Sequence, residues 1–122
     1  MDFKLELVPV PVSDVDRSIA FYRDKVGFAL DHDHKVSETL RFVQLTPPGS
    51  ACSIVIGLGI VDSAPGSIRG LQLVVDDIHK ARDELAGRGV EVSAVTTAPG
   101  GAFVYFADPD GNTWTVQDPR AS

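Results

Sequence analysis

Val12-Ser13-Asp14-Val15 and, 63 positions further on, Val75-Asp76-Asp77-Ile78 are two versions of one phrase. In each, an apolar strand end is followed by an acidic or hydroxyl side chain able to cap a helix, and then by the first apolar residue of that helix. A second pair of phrases lies 62 positions apart: Thr46-Pro47-Pro48-Gly49-Ser50 and Asp108-Pro109-Asp110-Gly111-Asn112. Each of these turns leads into a β-rich run, Ala51-Cys52-Ser53-Ile54-Val55 in one case and Thr113-Trp114-Thr115-Val116-Gln117 in the other. Working outward, the chain reads β-α-β-β-β, a linker, and β-α-β-β-β again. This is an α+β fold of two similar halves.

Within the first half, Leu5 to Val12 reads as a strand that Pro9 and Pro11 confine to an edge, because proline has no N–H for a ladder. Ser13 or Asp14 caps the helix. Val15, Ile19, Tyr22 and Val26 form its buried stripe, and Gly27 ends it. Strands follow at Phe28 to His34, Leu40 to Thr46 and Ala51 to Ile56. The second half has strands at Leu71 to Val75, Val90 to Val95, Phe103 to Phe106 and from Thr113. Its helix is capped by Asp76 or Asp77 and carries Ile78, Ala81 and Leu85. The chain of 122 residues reads as a single domain, residues 1–122, with module one at about 3–57, a Gly- and Ser-rich linker at 58–69 and module two at 70–118.

Composition excludes several classes. A net charge of −6 without a Lys/Arg cluster disfavours nucleic acid and anionic membrane. No segment approaches the uncharged 18-residue run of a membrane helix, and the N-terminus lacks the layout of a secretion signal. One cysteine allows no internal disulfide, which fits a cytoplasmic protein.

The run Val12 to Tyr22 followed by Val26-Gly27-Phe28 resembles the first-module signature of the vicinal oxygen chelate superfamily. This group comprises glyoxalase I, the bleomycin resistance proteins and the extradiol dioxygenases. Val75-Asp76-Asp77-Ile78, Gly87-Arg88-Gly89-Val90 and Asp108-Pro109-Asp110-Gly111-Asn112 resemble its second-module signatures. The resemblance implies two βαβββ modules curled into a U-shaped mixed sheet, helices outside and a cleft inside. It also implies a homodimer, often with clefts completed by both chains. Metal-dependent members hold a divalent ion with four His, Glu or Gln side chains. The resemblance maps those positions onto Leu7, Ser53, Gly70 and Thr115, none of which suits a transition metal. No metal and no cofactor is therefore expected.

Strand alternation adds Gln72 and Gln117 to the face of Ser53 and Thr115, a neutral hydrogen-bonding lining suited to an organic ligand. Phe103 and Tyr105 share one face of their strand, Val104 and Phe106 the other. Parity leaves open which pair meets the cleft, and Phe103 and Tyr105 stand as the candidates. Arg41 and Gln44 carry the same ambiguity. His32 and His34 point to one side of a strand, either as part of a metal site with Glu38 or as a solvated polar face, with Asp31 and Asp33 on the other side. Trp114 reads as a core aromatic, Cys52 as a structural thiol and His79 as a solvent-facing helix residue.

Three functions follow. The first is a small-molecule binding protein of the bleomycin-resistance kind. The second is a metal-independent lyase or isomerase using Glu38, Arg41 or His34 as acid–base group. The third, against which the four ligand positions argue, is a metal-dependent glyoxalase or dioxygenase.

Overall fold

A computed structural model describes residues 1–120, so the last two residues of the expected 1–122 domain lie outside it. The expected tandem βαβββ order is present. The first sheet runs β1 (Leu7–Pro9), β4 (Ser53–Leu58), β3 (Arg41–Thr46), β2 (Ala29–Lys35). The second runs β5 (Leu71–Val74), β8 (Thr113–Asp118), β7 (Gly101–Ala107), β6 (Thr96–Ala98). In each, the first strand pairs in parallel with the last and the other pairs are antiparallel. Among the described residues no helix is long and apolar enough to cross a membrane.

The caps form as the repeat requires. Asp14 accepts from the Arg17 N–H, and Asp77 from the Lys80 N–H, both at 3.1 Å. Helix α1 (Val15–Ile19) passes into a π-helical stretch, Ala20–Val26, where the Gly27 N–H reaches back five residues to the Tyr22 carbonyl. The widened turn lets two consecutive aromatics, Phe21 and Tyr22, both turn inward. Gly27 closes it in the left-handed region at φ 96°. Helix α2 spans Ile78–Gly87.

Two expected strands differ. β1 is only three residues long, since Pro9 and Pro11 offer no donor; the pairing resumes once, from the Val10 N–H to the Val55 carbonyl. Val90 to Val95 is not a strand. The Ser93 N–H does bond the Tyr105 carbonyl, but the Tyr105 N–H is taken by the Ser93 hydroxyl instead of a main-chain carbonyl. That side-chain substitution breaks the ladder, and regular pairing starts only at Thr96.

The helix-covered faces of the two sheets share one core. Val43, Leu45, Ile54 and Ile56 from the first meet Ala102, Val104, Phe106, Trp114 and Val116 from the second, with Ile19, Tyr22, Phe28, Ile78 and Leu85 between. At its centre the Tyr22 hydroxyl donates to the Asp108 carboxylate (2.7 Å) and accepts from the Trp114 indole (3.0 Å). Asp108 also accepts from the Asn112 side chain and from the N–H groups of Asp110 and Asn112. Burial, with the Asp108 charge beside it, pushes the Tyr22 hydroxyl well above its ordinary pKa.

The linker is pinned at Gly66, whose N–H bonds the Pro11 carbonyl and whose φ is 80°. A Cβ there would stand 2.0 Å from the Asp110 carbonyl oxygen. Gly66→Ala is expected to cost roughly 2 kcal/mol or more in chemical denaturation, from the left-handed backbone and the backbone clash together.

Candidate functional site

Each sheet keeps one face free of helices, and the polar residues of interest lie there. On the first sheet Ser53, at the start of β4, stands opposite Leu7 of β1. Its hydroxyl lies 2.6 Å from that of Thr46 and accepts from the Gln44 amide at 3.3 Å. Thr46 in turn donates to the carboxylate of Asp31. Strict alternation assigns Asp31 to the face opposite His32 and His34, but β2 bulges between Leu30 and His32. The extra residue turns Asp31 onto the Thr46 side. Asp31 and Thr46 are thus the site residues that the sequence reading missed, and a bulge inside a charged strand leaves no signal there.

On the second sheet Gln72, Thr115 and Tyr105 form one cross-strand row, and Val74, Gln117 and Phe103 the next. Gln72 donates to the Gln117 amide oxygen (2.6 Å), and Gln117 donates to the Gly100 carbonyl (2.8 Å). The parity question resolves as the candidates require: Val104 and Phe106 enter the core, while Phe103 and Tyr105 stand on the free face. Their rings are parallel within 8°, with centroids 6.5 Å apart. The ladder also shifts one mapped position. Opposite Thr115 stands Gln72, not Gly70, whose N–H bonds Thr113. The connection from β1 to its helix cap, residues 10–13, is two residues longer than that from β5, residues 75–76, and the offset is the same two residues.

Where the edge strands β1 and β5 come together, a cavity of about 350 Å³ is lined by Leu5, Val8, Cys52, Ser53, Gly70 and Gln72 among others. It brings three candidates, Ser53, Gly70 and Gln72, to one place. Leu7, Thr115, Gln117, Phe103 and Tyr105 lie on the free faces outside its wall. A second cavity, also about 350 Å³, separates the π-helical stretch from α2 and β5. Its charged members are Glu84 and Arg88, and the Arg88 guanidinium is committed to the Lys25 and Val26 carbonyls. It has the character of an inter-module packing gap.

The other candidates lie apart. His32 and His34 stack on the free face of β2, ring centroids 5.8 Å apart and exposed, with Glu38 in the exposed turn beyond. Among the described residues no three His, Cys, Asp or Glu side chains gather around one point. Trp114 is a core aromatic, stacked on Phe106, while Cys52 is half-buried and His79 exposed. Arg41 lies on the helix side, bonded to Asp33 (2.8 and 3.0 Å) and Asp16 (3.0 Å).

The hydrogen bonds from Arg41 hold the Asp33 carboxyl below the usual carboxylate range, against a smaller opposing effect of burial. A depressed folded-state pKa stabilises above the unfolded value of about 4 and is lost as pH falls through the folded one. Arg41→Ala is therefore expected to lower stability at neutral pH by at most about 1 kcal/mol, the pair being partly solvated. The gap from the parent should narrow as pH falls below about 4, read as urea midpoints against pH.

A profile of the glyoxalase/bleomycin resistance protein/dioxygenase superfamily matches residues 4–116. The chain belongs to this superfamily. It is similar in structure to TnmS3, an antibiotic-binding protein from Streptomyces sp. CB03234 (36% identity, 97% of both chains, TM-score 0.87). It is also similar to a glyoxalase/bleomycin resistance protein from the same organism (36% identity, 94% of this chain and 100% of that one, TM-score 0.82). A curated relative, the uncharacterized protein YetH of Bacillus subtilis (strain 168), is 25% identical over 113 residues, 91% of this chain and 94% of its own. At the positions that the resemblance maps onto the superfamily's metal ligands, this chain has Leu7, Ser53, Thr115 and either Gly70 or, by register, Gln72. The Ser53 hydroxyl and the Gln72 amide are already hydrogen-bonded within their own sheets, and no carboxylate or imidazole stands at these positions. The set does not fit a catalytic divalent ion.

Proposed function

We propose that this superfamily member binds a small organic molecule, of the size and polarity of an aromatic antibiotic, without a metal and without chemical conversion. The observation that carries the reading is the make-up of the seam and its flanks. Ser53, Gly70 and Gln72 line a cavity, and next to them lie a hydroxyl–amide row and the parallel Phe103 and Tyr105 rings. Such a surface orients a ligand with a few hydrogen bonds and holds it by apolar contact. Similarity to an antibiotic-binding protein supports the same reading.

The binding unit is a homodimer. Val74, 65% exposed, is an apolar side chain on the otherwise polar free face of the second sheet that a second copy would cover. We place the protein in the cytoplasm and take no nucleic acid or membrane to be its partner.

Isothermal titration against a panel of planar polycyclic antibiotics is the test, with sedimentation expected at twice the chain mass. Tyr105→Ala, at an exposed position and so compatible with folding, should weaken the best binder by about tenfold, the loss of one stacking partner. Absence of any binder, or a stoichiometric transition metal in the purified protein, would overturn the proposal.

A further inference from the structure

Two hydrogen-bond chains on the free faces have fixed directions. A carboxylate oxygen only accepts, so Thr46 must spend its single hydroxyl proton on Asp31. The short contact between Thr46 and Ser53 is then donated by Ser53, leaving the Ser53 oxygen only lone pairs. One of these takes the Gln44 N–H, which turns the Gln44 amide oxygen away from Ser53. On the second sheet the anchor is a main-chain carbonyl. Gly100 only accepts, so Gln117 presents its NH₂ there and its oxygen to Gln72. Gln72 must donate, and its own amide oxygen faces outward. Each chain starts at an obligate acceptor and ends on a glutamine carbonyl.

From these directions we infer that the ligand of the proposed site presents O–H or N–H donors, as a phenol, amine or ammonium, to the Asp31–Thr46–Ser53–Gln44 chain. Carboxylates and phosphates are rejected there. The inference rests on the proposed binding reading and specifies its ligand class. The two terminal glutamines each keep one N–H, but Asp31 and Ser53 have nothing to donate, and an anion would meet the Asp31 charge. The polarity has a single switch. Asp31→Asn can donate to Thr46, after which Thr46, Ser53 and Gln44 can all reverse. Asp31 is exposed, so the change leaves the core intact.

The test uses four compounds of one shape, 2-naphthol, 2-naphthylmethylammonium, 2-methoxynaphthalene and 2-naphthoate, each titrated into the full chain calorimetrically. The naphthol and the ammonium should bind about tenfold tighter than the methyl ether, one hydrogen bond's worth, with naphthoate weakest. In Asp31→Asn the naphthol-to-ether ratio should fall to within about threefold. Equal binding of all four, tightest binding by naphthoate, or an unaltered ratio in Asp31→Asn overturns this inference alone. Binding by none of the four overturns the proposed site and this inference with it.

Discussion

Replacement of Asp108 by alanine is expected to lower the unfolding free energy by about 3–5 kcal/mol, the range for breaking a buried charged network by removing one member. Asp108 is 5% exposed and accepts four hydrogen bonds, from the Tyr22 hydroxyl, the Asn112 side chain and two turn N–H groups. The penalty comes from what stays behind. Asn112 and Tyr22 remain buried with donors unmet, and an unmet buried donor costs about 1–3 kcal/mol. Tyr22→Phe, which removes the hydroxyl and leaves the carboxylate its other three donors, should cost clearly less. If urea denaturation gave equal losses for Asp108→Ala and Tyr22→Phe, the hub would be misassigned.

Trp114→Ala is the second large effect, again about 3–5 kcal/mol, the usual cost of truncating a buried large aromatic. The indole stacks on Phe106 within 3° and meets Tyr22 and Phe28 edge-on at 5.8 and 5.6 Å, besides its bond to the Tyr22 hydroxyl. Both residues act through Tyr22, so the double variant should lose less than the sum of the singles. Strict additivity in a double-mutant cycle would show that the two contacts are independent.

Much of the fold was legible because it rests on local signals. Asp14 and Asp77 are side chains that cap whatever follows them, and the Pro-Gly turns punctuate both halves alike. What escaped depends on substitutions for main-chain bonds. Ser93 replaces a ladder carbonyl with its hydroxyl, and the β2 bulge inserts Asp31 without altering the local composition. Placement on the free faces was legible where period-two alternation held, as for Ser53, Gln72 and Thr115. It failed where alternation slipped, at Asp31, and where a connection differed in length, so that Gln72 stands where the repeat counted Gly70. Arg41 was ambiguous for a related reason: parity names two faces, and only the Asp16 and Asp33 carboxylates decide between them.

The Tyr22–Asp108–Trp114 hub bears on how this doubled chain arose. By the repeat, Tyr22 corresponds to Leu85, Asp108 to Thr46 and Trp114 to Cys52. None of those counterparts could build a second copy of the hub, so each half now holds a share of one asymmetric device. The first half alone would leave the Tyr22 hydroxyl without its partners, and the second half alone would leave the Trp114 indole N–H without its acceptor and Asp108 one donor short. Self-association of either half could not mend this, because neither half carries both members. The two halves therefore share one polar device that neither completes alone.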